Sequence, residues 1–236
     1  RLSVTKGGSA PLVVLEAIDG ELAASGLEGP YRFKGSVSYA GTKRDVRVST
    51  AALGTEQSLK IKAVVRVPET ANAYTFDGDL LALDALPRLK GSLEAQLGMS
   101  PASLANVVDA ENEAASRNGA SNMRLTGQLE ADLDEGSLTE LNATFDSEGR
   151  PQLVTGEIAF EWKRNPAIGA RLAARWLDLD RIAGNVRGEG PLPALESYIA
   201  RFLAAFASDA ETRLVARIDQ ANLGGELIGD IVIDAK

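Results

Sequence analysis

Along most of this chain apolar residues take every second position. Tyr31, Phe33, Gly35, Val37 and Tyr39 alternate with Arg32, Lys34, Ser36 and Ser38. Leu59, Ile61, Ala63, Val65 and Val67 alternate with Lys60, Lys62 and Arg66. The period returns at Leu89, Gly91, Leu93, Ala95 and Leu97, and again at Met123, Leu125, Gly127, Leu129, Ala131 and Leu133. Val154, Gly156, Ile158, Phe160 and Trp162 follow, then Ile168, Ala170, Leu172, Ala174 and Trp176. Leu214, Ala216 and Ile218, then Leu227, Gly229, Ile231 and Ile233, close the series. A period of two is the mark of a strand with one buried face. Turn signals separate the runs: Gly29-Pro30, Ala40-Gly41, Pro68 to Asn72, Glu135-Gly136, Glu148 to Pro151 and Asn165-Pro166. Short connections between close strands predict antiparallel hairpins and a meander. The expected fold is mostly β: one extended, curved antiparallel sheet over residues 1–236, shaped as a groove, with one or two short amphipathic helices.

Two segments break the period. Leu195, Tyr198, Ile199, Phe202 and Phe206 fall at helical spacing, and Pro191 and Pro193 sit where a helix start tolerates proline. This predicts an amphipathic helix over 193–207. Ser100-Pro101 reads as an N-cap and first helical position. The segment then turns polar, so 100–122 reads as a helical or mobile insertion.

A five-residue unit, apolar–x–Gly–x–apolar, recurs within the strands. Examples are Phe33-Lys34-Gly35-Ser36-Val37, Phe76-Asp77-Gly78-Asp79-Leu80, Leu89-Lys90-Gly91-Ser92-Leu93 and Leu125-Thr126-Gly127-Gln128-Leu129. Glycine weakens a strand interior, so its recurrence on the apolar side means something there needs room. On one reading it relieves crowding on the concave face of a curved sheet; on the other it opens space for a bound apolar chain. The intervals are irregular, which excludes a strict-period solenoid.

Composition narrows the chemistry. With 236 residues, 44% of them hydrophobic, the chain has ample material for a core, but only 5% are aromatic, few for a self-sealing sandwich. The chain has no cysteine and no histidine. Disulfides, thiol nucleophiles, Cys-based zinc sites and serine–histidine–aspartate catalysis are thereby excluded. A net charge of −8, with acids and bases interspersed, argues against nucleic acid as a partner. No P-loop or dinucleotide fingerprint occurs. Asp178 and Asp180 form a D-x-D pair, but Arg181 and Ile182 stand where a calcium loop needs oxygen ligands, so a structural role at a strand end is expected. Trp162 and Trp176 lie on apolar positions and read as core, with a lipid-interface role as the alternative. The first residue is Arg1 rather than Met, so the chain reads as a piece of a longer protein.

Gly29-Pro30-Tyr31-Arg32-Phe33-Lys34-Gly35, Phe76-Asp77-Gly78, Leu89-Lys90-Gly91 and Arg171 to Ile182, with its Leu177-Asp178-Leu179-Asp180 core, resemble the AsmA-like family of Gram-negative envelope proteins. The closing Ala221 to Asp230 looks like that family's terminal strands. The resemblance implies a long periplasmic β-groove behind an inner-membrane anchor, the anchor lying outside these residues, and a part in moving phospholipid towards the outer membrane. It implies phospholipid acyl chains as ligand and inner- and outer-membrane proteins as partners at the ends of the groove.

The leading functional expectation is a non-enzymatic lipid groove with no cofactor and no metal. Its apolar lining is expected at Phe33, Val37, Ile61, Val65, Leu93, Leu125, Leu129, Ile158, Phe160, Leu172 and Trp176. A closed β scaffold for envelope assembly is the alternative. A carboxylate-based glycan hydrolase is a further one, but no acid lies on an apolar strand face beside another.

Overall fold

The computed structural model describes residues 2–4, 13–26, 28–39, 41–53, 58–70, 72–82, 86–99, 121–145, 152–162, 166–182 and 211–236. The chain divides into two compact units, Arg1–Leu97 and Gly98–Lys236. The fold is mostly β, with curved open sheets and, among the described residues, one short helix.

The first unit is a meander. Strands β1 (Leu2–Val4), β2 (Val13–Ala24), β3 (Tyr31–Tyr39), β4 (Thr42–Thr50), β5 (Leu59–Val67), β6 (Asn72–Leu81) and β7 (Arg88–Met99) lie in sequence order. Each pairs antiparallel with the next. Because the registers keep phase, side chains of one parity form rows across the strands. Leu22, Phe33, Val48, Ala63, Phe76 and Leu93 stand side by side in one row. Gly20, Gly35, Val46, Val65, Tyr74 and Ala95 form the next. On the opposite face Arg32, Ser49, Lys62 and Asp77 form one row, and Lys34, Arg47, Val64 and Thr75 another.

The second unit holds β8 (Ser121–Ala131), β9 (Glu135–Phe145), β10 (Gln152–Glu161), β11 (Ala167–Asp178), the four-residue helix α1 (Leu179–Ile182), β12 (Glu211–Leu223) and β13 (Glu226–Ala235). Their order again follows the sequence. The expectation of an all-antiparallel sheet fails at one joint: β11 and β12 run parallel, from Ala167 opposite Glu211 to Asp178 opposite Asn222. A parallel pair needs a crossover from one end of the sheet to the other, and residues 183–210 are long enough to make one. The helix expected at 193–207 falls outside the described residues, as does 100–120 of the expected insertion. Ser121 and Asn122 belong to β8.

The turn expected at Glu135-Gly136 lies three residues earlier. Asp132 Oδ1 accepts the backbone N–H groups of Asp134 (2.7 Å) and Glu135 (3.0 Å), and this carboxylate ends β8 before Leu133. Leu133 is therefore an exposed turn residue rather than a member of the apolar face.

Strand glycines mark where neighbouring backbones close on one another. Gly78 stands opposite Gly91. A Cβ added to Gly78 would collide with the Lys90 carbonyl and lie 2.6 Å from Gly91 Cα and 2.7 Å from Phe76 Cζ. Phe76, itself buried, lays its ring over both glycines. The room that glycine makes is thus taken by backbone and by a phenylalanine ring, which favours the crowding reading. Bulges add curvature. Ala17 in β2 and Glu140 in β9 have positive φ, 44° and 51°, at breaks in the pairing register.

Gly78→Ala should lower stability by about 2–3 kcal/mol, since backbone must shift to admit the methyl. Gly169→Ala, at a site with no heavy atom within 4 Å, should change it by no more than about 0.5 kcal/mol. Chemical denaturation of the two variants checks the contrast.

Candidate functional site

Two features could carry function: the apolar faces, and the polar cluster around the D-x-D pair. The expected lining residues divide between the units. Phe33 and Val37 lie on β3, Ile61 and Val65 on β5, and Leu93 on β7. In the second unit Leu125 and Leu129 lie on β8, Ile158 and Phe160 on β10, and Leu172 and Trp176 on β11. The structure brings Phe33 and Leu93 into one row, with Val65 in the next, and Leu129 and Ile158 into one row through Leu138. Of the eleven residues only Val37 is buried; the other ten are half-buried.

The two units differ in how far their apolar faces are sealed. Among the described residues of the first, the buried apolar side chains are Val37, Val67, Phe76 and Ala95. Phe33, Val46, Val48, Ile61, Val65 and Leu93 stay half-exposed. In the second, one buried cluster joins Ala174, Leu177, Ile218, Ala221 and Ile231, and another joins Ala170, Leu214 and Ala216. The burial phase changes along β11, from Ala170 and Ala174 to Leu177. It changes at the same level of β12, from Ile218 to Ala221. On β13 the adjoining Asp230 has φ 54°. Strict alternation therefore reaches Trp176, which is half-buried, while the fully packed neighbour is Leu177.

The tryptophan of β10's end has a defined partner. Trp162 Nε1–H donates to the Leu133 carbonyl at 2.7 Å, and its backbone N–H donates to the Asp134 carbonyl at 3.0 Å. Its ring stacks on Phe160 at 5.2 Å, and Phe160 covers Gly136. This pair pins the β8–β9 turn.

The D-x-D pair is spent on backbone. Asp178 Oδ1 accepts the N–H of Arg181 at 3.1 Å, which starts α1, and the amide of Asn222 at 3.2 Å. Asp180 is buried, and its two oxygens accept the N–H groups of Gly224 and Gly225, each at 2.8 Å. Both glycines have positive φ, 64° and 79°, the conformation a two-residue hairpin of this hand requires. One carboxylate thus clamps the β12–β13 turn onto the end of β11. Gln152 completes the cluster: 2% exposed, its Oε1 accepts the Asp178 N–H at 2.7 Å. Strand periodicity carried a signal for it, since Gln152 is a polar residue on the parity of Val154, Ile158 and Phe160. Among the described residues no group of three or more metal-ligating side chains comes together, and no helix is long and apolar enough to cross a membrane.

Comparison with protein-family models, curated proteins and solved structures finds no match. Asp180→Ala should cost about 2–4 kcal/mol, because two backbone N–H groups lose a charged acceptor. Asp180→Asn, which keeps one acceptor oxygen, should cost less. Thermal unfolding of both variants, with and without added calcium, tests this; a midpoint raised by calcium in the parent chain would contradict a purely structural carboxylate.

Proposed function

We propose that the apolar face of the first unit binds lipid acyl chains, and that the chain is the lipid-binding groove of an AsmA-like envelope protein. In that reading it takes part, without catalysis, in phospholipid transfer between inner and outer membranes and in outer-membrane homeostasis. The supporting observation is that apolar rows run six strands wide, from β2 to β7, and that Phe33, Val46, Val48, Val65 and Leu93 within them are only half-buried. A sheet face of that breadth normally ends up buried or occupied. Sheltering an acyl chain of roughly sixteen carbons is worth on the order of 10 kcal/mol, enough to compete with a bilayer without a head-group pocket. The family resemblance at Gly29 to Gly35, Phe76 to Gly78 and Arg171 to Ile182 supports the same reading and, with it, a periplasmic location beneath an inner-membrane anchor.

The scaffold reading draws on a different observation. The β11–β13 side of the second unit packs its aliphatic residues against each other. That side has the character of a closed core, and its role is to hold the shape of the sheet.

Lipid extraction and mass spectrometry of the purified chain should find co-purified phospholipid. Photoreactive side chains at Ile61 and Leu129 should crosslink to lipid, with Ile61 the stronger; one at Arg175, an exposed position of the second unit, should not. A lipid-free protein with no crosslinks at either position overturns the proposal.

A further inference from the structure

The polar face of β3–β5 carries a charge opposite to that of the chain. The chain's net charge is −8. On this face, however, the strand pairings gather Arg32, Lys34, Lys43, Arg47, Lys60, Lys62 and Arg66 around one acid, Asp45. Lys34 and Arg47 stand directly opposite each other, a like-charge pair that normally destabilises a sheet. Lys62 has a partner, Asp77, at 3.3 Å. Among the described residues Arg32, Lys34, Arg47, Lys60 and Arg66 form no ion pair, and all five are exposed. The patch is bounded by Glu16, Asp19 and Glu21 on β2 and by Asp77 and Asp79 on β6. Unpaired cations held side by side at an energetic cost have a use when an anion covers them.

We propose that this face docks the chain onto a bilayer containing anionic phospholipid. Three observations select a bilayer among anionic surfaces. No aromatic residue is interleaved among these cations: Ser36, Ser38, Ser49 and Val64 fill the gaps, so there is no platform for stacking nucleic-acid bases. Among the acids that a second copy would offer, Asp77, Glu157 and Asp234 already pair with Lys62, Arg171 and Arg213. A bilayer, by contrast, offers anions over an area that all the cations can meet at once, with no register to match. The docking surface is the reverse side of the apolar rows, so it stands whether or not those rows carry lipid.

Each basic side chain near an anionic bilayer multiplies affinity by about fivefold. The full chain should co-sediment with phosphatidylcholine vesicles containing phosphatidylglycerol and not with phosphatidylcholine alone. Binding should weaken as salt rises from about 0.05 M to about 0.5 M. The triple variant Arg32→Glu, Lys34→Glu, Arg47→Glu should bind at least about a hundredfold more weakly. The double variant Arg175→Glu, Arg217→Glu, in the second unit, should bind as the parent does; unchanged circular dichroism and unfolding midpoints show that both variants fold. The proposal is overturned if the parent ignores anionic vesicles, or if the triple variant binds like the parent. It is also overturned if salt-sensitive self-association occurs without vesicles, or if a short DNA duplex displaces the vesicles.

Discussion

Phase-keeping between strands is the constraint on which this structure rests. Alternation within one strand yields two faces, but a sheet face exists only if each neighbour starts on the same parity. From β2 to β7 that condition holds at every pairing, so Leu22 and Leu93 end the same row five strands apart. Where the phase does slip, the neighbours absorb the slip or follow it. The extra residue at Glu140 is taken up against Gly127 on one side and Glu157 on the other. The change of burial phase between Ala174 and Leu177 is matched between Ile218 and Ala221. Local irregularities therefore bend the sheet without scrambling its faces.

The same constraint explains why side-chain size is so finely graded along the rows. Curving the sheet brings adjacent backbones together, and the paired glycines at Gly78 and Gly91 accept that approach. Phe76 then covers the exposed backbone, as Phe160 does for Gly136. A chain with few aromatics places them where glycine leaves backbone to protect. At the end of β11 the work passes to polar groups: Gln152, Asp178 and Asp180 satisfy the backbone of α1 and of the last hairpin. Asp180, buried with each carboxylate oxygen accepting a backbone N–H, is a structural element.

Much of this was legible in the residues. The runs at Tyr31 to Tyr39 and Leu59 to Val67 coincide with β3 and β5. Period alone does not reveal β4, because its inner positions include Thr42, Arg44 and Thr50, which are not apolar. The full length of β9 is hidden because the bulge at Glu140 puts Leu138, Leu141 and Ala143 off a strict period of two. The parallel joint could not be read at all, since no local pattern records which strand a returning chain chooses. The basic face was hidden for a similar reason. Its cations are interspersed with other residues along the chain, and only the pairing of β3, β4 and β5 sets them side by side. For the D-x-D pair, spacing excluded a calcium loop, but the glycine turn that Asp180 holds lies 44 residues further on.

The parallel joint between β11 and β12 also bears on how the molecule assembles. Every other strand pairing from β2 to β6 and from β8 to β13 joins neighbours along a short hairpin, the kind of contact that forms within microseconds. The β11–β12 contact instead closes a loop of 44 residues, and the chain entropy of that closure comes before any of its hydrogen bonds. The order of events follows: β12 and β13 zip together first as a local pair, and the finished hairpin then docks edge-on against β11. Asp180 reaches its two N–H partners only after docking, because Gly224 and Gly225 must already have turned to present them. The buried carboxylate is in this sense a latch that closes last.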